Sequence, residues 1–91
     1  MSYKISFTDS AFEQLEKMKR GDKNSYHKCF ELVLAVMAEP RFGVGKPEQL
    51  KHQNEETWSR RINDKDRMIY SIFEEDEHVL VYSFVGHYGD R

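Results

Sequence analysis

The chain reads as an α+β domain, with two N-terminal helices packed on a mainly antiparallel twisted sheet of four to five strands. Two observations predict it. Apolar residues recur every three or four positions from about residue 11 to 38, then alternate with a period of two from about residue 49 onward. Turn signals at Gly21-Asp22, Pro40 to Pro47, Asn63 to Asp66 and Glu74 to Glu77 cut the chain into lengths suited to those elements. The resulting order is β-α-α-β-β-β-β.

Residues 3–7 alternate, with Tyr3, Ile5 and Phe7 on one side of a short strand. Thr8, Asp9 and Ser10 are good N-cap residues for a first helix running to about Arg20. Its expected buried stripe is Phe12, Leu15 and Met18. Gly21-Asp22 stops that helix and caps the next. The second helix is expected from about Lys23 to Ala38, with Tyr26, Phe30, Val33 and Met37 along one face, until Pro40 ends it. Arg41 to Pro47 is a Gly-rich turn region, and Gln49 to His52 reads as a short strand. A strand over Thr57 to Ile62, a tight turn at 63–66 and a strand over Arg67 to Phe73 follow. The acidic run 74–77 is a further turn. A long last strand is expected from His78 to Tyr88, and its apolar stretch Val79 to Val85 suits a strand covered on both faces.

The chain's 91 residues suit one domain, 1–91, with a small core. A hydrophobic content of 38% against 33% charged residues describes a hydrophilic globule. No apolar run approaches the roughly 20 residues that a spanning helix needs. The first ten residues lack the apolar segment of a signal peptide. Cys29 is alone, so no intramolecular disulfide forms, and a cytoplasmic location is expected. The histidines do not recur at a metal-ligand spacing and one cysteine cannot build a zinc site, so neither metal nor cofactor is expected. Gly43-Val44-Gly45-Lys46 lacks the full spacing of a phosphate loop.

A net charge of −2 argues against a generic nucleic-acid binder, and its distribution softens that objection without making the whole surface basic. Residues 41–70 hold seven Lys/Arg against five Asp/Glu, whereas 71–91 hold one Arg against five acids. Within the basic stretch, Glu48 is a candidate base, and Arg67 a candidate guanidinium fork for phosphate oxygens. Near the C-terminus His87 is a candidate acid, since an imidazole readily holds and gives a proton, and Tyr88 is a candidate stacking or hydrogen-bonding partner. Together they are the parts that metal-free RNA cleavage needs: a base for the 2′-OH, charge for the phosphorane, and an acid for the leaving oxygen. Lys46, Lys51, His52, Arg60 and Arg61 form a supporting basic set. Alternation sends Arg60 and Arg61 to opposite sides of the sheet. Arg61 is the better partner for Arg67, because Arg60 shares a side with Trp58 and Ile62.

The segments GKPEQLKH (45–52) and WSRRINDKDRMIY (58–70), with His87-Tyr88, resemble in that order the Txe/YoeB toxins of bacterial toxin–antitoxin pairs, a branch of the RelE superfamily. The resemblance is dense from Gly45 to Tyr70, returns at His87-Tyr88 and is loose over the first 40 residues. It implies a RelE-like fold, similar to small microbial ribonucleases, and an endoribonuclease that cuts mRNA in the ribosomal A site. It implies Glu48, Arg67, His87 and Tyr88 as catalytic, with Lys46, Lys51, His52 and Arg61 on RNA or phosphate. The implied partners are a YefM-like antitoxin, the ribosome with its mRNA, and promoter DNA through the antitoxin alone. No membrane partner is implied, and homodimerisation stays open. The chain departs from the pattern at Asp66, commonly His, which could pair with Arg67. It departs again at Gly86, often an aromatic, and in the added Gly89-Asp90-Arg91. These departures motivate a rival, a catalytically weak or dead toxin acting as an antitoxin-binding co-repressor. A ParE-like gyrase poison on the same fold is a third reading, disfavoured because gyrase poisoning needs no acid–base set.

Overall fold

The computed structural model describes residues 2–86. Its elements are β1 (Lys4–Phe7), α1 (Asp9–Gly21), α2 (Lys23–Ala38), β2 (Glu48–Leu50), β3 (Glu56–Arg61), β4 (Arg67–Phe73), a single 3-10 turn at Glu74–Asp76, and β5 (His78–Ser83). One mixed five-stranded sheet runs β1-β5-β4-β3-β2, parallel between β1 and β5 and antiparallel elsewhere. Both helices lie on one face.

The punctuation works as read. The Thr8 hydroxyl accepts from Ala11 N at 3.1 Å and caps α1. The Asp22 carboxylate accepts from Ser25 N at 3.2 Å and caps α2, while its own N–H closes α1 on Met18 O. Asn63 Oδ1 accepts from Lys65 N and Asp66 N, which makes the β3–β4 turn an Asx turn.

Of the expected helix stripes, Leu15, Met18, Tyr26, Val33 and Met37 lie in the core or against it, and two residues do not. The core takes Ala11 and Met18 from α1, and Cys29, Leu32, Val33 and Val36 from α2. Phe12 is 53% exposed and Phe30 47%, so neither belongs to the buried stripe. Ala11, Leu15 and Met18 keep the i, i+4, i+7 spacing that meets the sheet, and a small residue at 11 lets α1 approach closely.

Two strands are shorter than expected. β2 starts at Glu48 and ends at Leu50, and His52 takes a left-handed turn conformation instead (φ 64°). β5 ends at Ser83, where Gln14 Oε1 accepts Phe84 N at 2.7 Å and Ser83 Oγ accepts Val85 N at 3.2 Å, taking donors a ladder would have used. Nor is β5 covered on both faces. Val79 and Val81 are buried under the helices, while Leu80 and Tyr82 on the other side are half-buried.

Cys29 is fully buried with its Sγ 3.6 Å from Met18 Sδ. Burial pushes its thiol from 9.0 up to about 12, with the charges of Asp66 and Asp22 adding to the effect. The folded chain therefore keeps this proton when the unfolded chain has lost it. Stability from Cys29 is complete below pH 9 and lost as pH rises from about 9 to about 12. The native protein at pH 8 should resist iodoacetamide and label fully in denaturant, as read by mass spectrometry. Rapid native labelling would contradict this burial.

Candidate functional site

Strand register sorts the side chains onto two faces. Trp58, Arg60, Met68, Tyr70 and Ile72 turn to the helices. Arg61 stands directly opposite Arg67, Ser59 opposite Ile69, and Glu48 opposite Ser59, so Glu48, Arg61 and Arg67 share the helix-free face. Arg61, not Arg60, accompanies Arg67, as alternation implies.

Arg67 is braced rather than free. Its Nε donates to Ser59 Oγ at 2.9 Å, and its Nη2 donates to Lys46 O at 3.2 Å. The Glu48 carboxylate lies 3.8 Å from the same Nη2, with a side chain 71% exposed against 18% for Arg67. So exposed a pair contributes little to stability and leaves the carboxylate able to move. No hydrogen bond among the described residues engages Arg67 Nη1. Arg61 donates to the exposed Asp64 at 2.7 Å. Two like charges in direct cross-strand register repel, and an anion between them would relieve that repulsion.

The loop that delivers Lys46 and Glu48 wraps a buried cation. Arg60 is fully buried, and its Nη1 donates to Val44 O (3.0 Å), its Nη2 to Glu39 O (2.7 Å) and Phe42 O (2.8 Å), and its Nε to Tyr70 Oη (3.0 Å). Tyr70 Oη in turn donates to Pro40 O. Gly45 has φ +87°, and a Cβ there would meet Leu32 Cδ2 at 2.7 Å, so glycine alone fits between helix and clasp. Gly45 O accepts Arg61 N at 2.6 Å, and Lys46 follows in a left-handed conformation (φ 52°) that turns its carbonyl to Arg67.

Asp66 does not pair with Arg67. Its buried carboxylate accepts Gly86 N at 2.9 Å through Oδ1, and Asn63 Nδ2 and Lys65 Nζ at 3.2 and 3.3 Å through Oδ2. Burial pushes this carboxyl up, but the Gly86 amide and the Asn63 and Lys65 donors outweigh it and hold it below the usual carboxylate range. Gly86 O accepts Arg67 N at 3.0 Å, so both polar groups of Gly86 are fastened beside Arg67. The departures at Asp66 and Gly86 thus anchor the chain just before His87. His87, Tyr88 and the Gly89-Asp90-Arg91 extension lie outside the described residues.

Lys46 is exposed at the edge of the site. Lys51 and His52 are exposed in the β2–β3 loop, beyond the Leu50–Thr57 row, and are not gathered with the Arg61–Arg67 pair. Ser59, Arg60 as a clasp, and Asp66 as an anchor escaped sequence reasoning. A hint lay in Arg60 itself, an arginine on an apolar face that must find buried acceptors. Among the described residues no cluster of His, Cys, Asp and Glu is arranged to hold a metal, and no helix is long and apolar enough to cross a membrane.

Comparisons with known proteins agree with this architecture. The family model described as a YoeB-like toxin of bacterial type II toxin–antitoxin system matches residues 7–88. A toxin YoeB of Synechocystis is 35% identical over 85 residues, spanning 93% of this chain and 96% of that protein. The YoeB dimer of Staphylococcus aureus superposes with a TM-score of 0.83 at 33% identity, covering 97% of this chain and 100% of that one. The toxin in the heterotetrameric YoeB–YefM complex of the same organism gives 0.79 at 32% identity, with the same coverage.

Proposed function

The chain belongs to the YoeB-like toxins of bacterial type II toxin–antitoxin systems, and from that membership we propose that it is a metal-independent endoribonuclease that cuts mRNA in the ribosomal A site. In this reading the substrate's 2′-OH attacks the adjacent phosphorus. Glu48 takes the 2′-OH proton as the O2′–P bond forms. Arg67 and Arg61 hold the non-bridging oxygens of the phosphorane. His87 gives a proton to O5′ as the P–O5′ bond breaks, and Tyr88 orients the phosphate. The products are a 2′,3′-cyclic phosphate and a 5′-hydroxyl. Lys46, Lys51 and His52 meet the RNA backbone on either side. Action on ribosomes makes the cytoplasm its compartment.

One observation carries the proposal: a carboxylate 3.8 Å from a braced guanidinium, with a second arginine directly across the strand pair. A base beside two phosphate-binding cations is what cleavage through the 2′-OH requires. A YefM-like antitoxin is the expected neutralising partner, since a similar toxin forms a YoeB–YefM complex, and homodimerisation has its counterpart in the S. aureus YoeB dimer. Promoter binding would run through the antitoxin.

The test is purified chain on a programmed 70S ribosome, with mRNA 5′ ends mapped by primer extension. A cut inside the A-site codon should appear, depend on ribosomes, and weaken by about 10²- to 10⁴-fold in Glu48→Ala. Intact mRNA from a folded protein that still binds antitoxin would replace this reading with the co-repressor one.

A further inference from the structure

The amides of the segment that leaves the sheet after β5 are taken by side chains, not by a strand. Phe84 N is accepted by Gln14 Oε1 (2.7 Å), Val85 N by Ser83 Oγ (3.2 Å) and Gly86 N by Asp66 Oδ1 (2.9 Å). The last acceptor is the most firmly held. Asp66 is 5% exposed, its N–H donates to Asn63 Oδ1 (2.8 Å) and its carbonyl accepts Ile62 N (2.9 Å). Asn63 also donates to the Asp66 carboxylate and is tied to α2 through Ser25 Oγ (2.7 Å). Helix, turn and carboxylate thus form one bracket. Gly86 fits it with φ +86°, its N–H on Asp66 and its carbonyl on Arg67 N (3.0 Å), a conformation that an L side chain adopts only under strain. A charged acceptor holds an amide more tightly than a ladder carbonyl does, but burying a carboxylate is a costly way to end a strand unless the place of Gly86 matters.

We infer that Asp66 is a positioning residue for cleavage: by holding Gly86 it sets where His87 delivers its proton to the leaving oxygen. The inference rests on the ribonuclease reading, and adds to it a residue that touches neither the substrate nor the reacting atoms. Chain connectivity carries it. Asp66 and Gly86 are bonded to each other, and the residue after each is Arg67 and His87. Consecutive Cα atoms lie about 3.8 Å apart, so one latch fixes the starting points of the phosphate clamp and the acid together. The carboxylate does not reach Arg67 itself, whose guanidinium has its own braces on Ser59 and Lys46. Loss of the latch should therefore be felt first at His87. A displacement of about 1 Å at a reacting group costs about 10²-fold in rate, which sets the size of the effect.

The test compares ordinary mRNA with mRNA that carries sulfur in place of the bridging O5′ at the A-site cut, in single turnover on programmed ribosomes. On ordinary mRNA, Asp66→Ala should cut about 10²-fold more slowly than the parent at unchanged ribosome affinity. Asp66→Asn, which keeps an acceptor for Gly86 N, should come within about tenfold of the parent. With sulfur, the O2′–P bond forms and the P–S5′ bond breaks with its electron pair to sulfur, which leaves as thiolate and needs no proton. The Asp66→Ala defect should then shrink to about threefold or less, while that of Arg67→Ala persists. Circular dichroism holds the comparison to temperatures at which each variant is folded. If the alanine variant does not fold, the smaller Asp66→Asn defect should shrink on sulfur in the same way. A defect equally large on both substrates would put the action of Asp66 on Arg67 or on folding and overturn the inference. Full-rate cleavage of ordinary mRNA by folded Asp66→Ala would do the same. If the parent cuts nothing, the ribonuclease reading fails by itself and histidine-ring NMR decides whether Asp66 places His87. The His87 signal should move or broaden in Asp66→Ala while those of His52 and His78 hold still, and an unmoved His87 signal overturns the inference.

Discussion

Arg67→Ala should lower single-turnover mRNA cleavage by about 10³-fold, at the upper end of what removing one preorganised charge-stabilising donor costs. The effect is large because the guanidinium is already held for its task. Ser59 Oγ and Lys46 O fix two of its edges, so no reorganisation is needed when charge develops on the phosphorane. Arg67→Lys keeps the charge but loses the planar fork and the brace on Ser59, and a loss of about 10²-fold is expected. Arg61→Gln should cost less, about tenfold, because its partner Asp64 is fully exposed and holds it loosely. The stability readout separates these variants. Arg61→Gln relieves cross-strand repulsion and should leave Tm unchanged or slightly raised. Arg67→Ala leaves buried Ser59 without its donor and should lower Tm. Full activity in Arg67→Lys would remove the bidentate clamp from the mechanism.

Arg60→Met should destabilise the fold by about 3–5 kcal/mol, a large share of the roughly 5–15 kcal/mol that holds a small domain together. The methionine would fill much of the volume. It would leave the carbonyls of Phe42 and Val44 without their Arg60 donor, Glu39 O with only Phe42 N at 3.4 Å, and Tyr70 with only Pro40 O. Their loss should also loosen the 39–46 loop, so that Lys46 O and Glu48 drift from Arg67 and cleavage falls with stability. Urea unfolding checks the first effect, as a lower midpoint at unchanged slope. A midpoint within about 1 kcal/mol of the parent would mean that the carbonyls find other donors and the clasp is dispensable.

The site was partly legible. Arg61 could be separated from Arg60 because strand alternation is a local rule and Trp58 and Ile62 mark the apolar side. Five of the seven expected stripe residues, Leu15, Met18, Tyr26, Val33 and Met37, are in the core or against it, whereas Phe12 and Phe30 stand exposed beside the buried Ala11 and Cys29. Asp66 invited pairing with the adjacent Arg67, yet it reaches Gly86, twenty positions on. Neighbours along a strand point to opposite faces, so adjacency in sequence argued for the wrong partner.

The sequence by itself determined the order and type of the elements, their caps and turns, and the residue types available for chemistry. All of these follow from periods and conformational preferences that act within a few residues. Only the tertiary structure decided that β1 joins β5 in parallel, that Glu48 comes within 3.8 Å of Arg67, that Arg60 is a clasp, and that the β4–β5 register shifts between Ile69 and Tyr70. Each of these depends on register between segments distant in the chain. Register comes from burying one face of the whole sheet against two helices while satisfying every buried polar group, a global balance that no single segment carries.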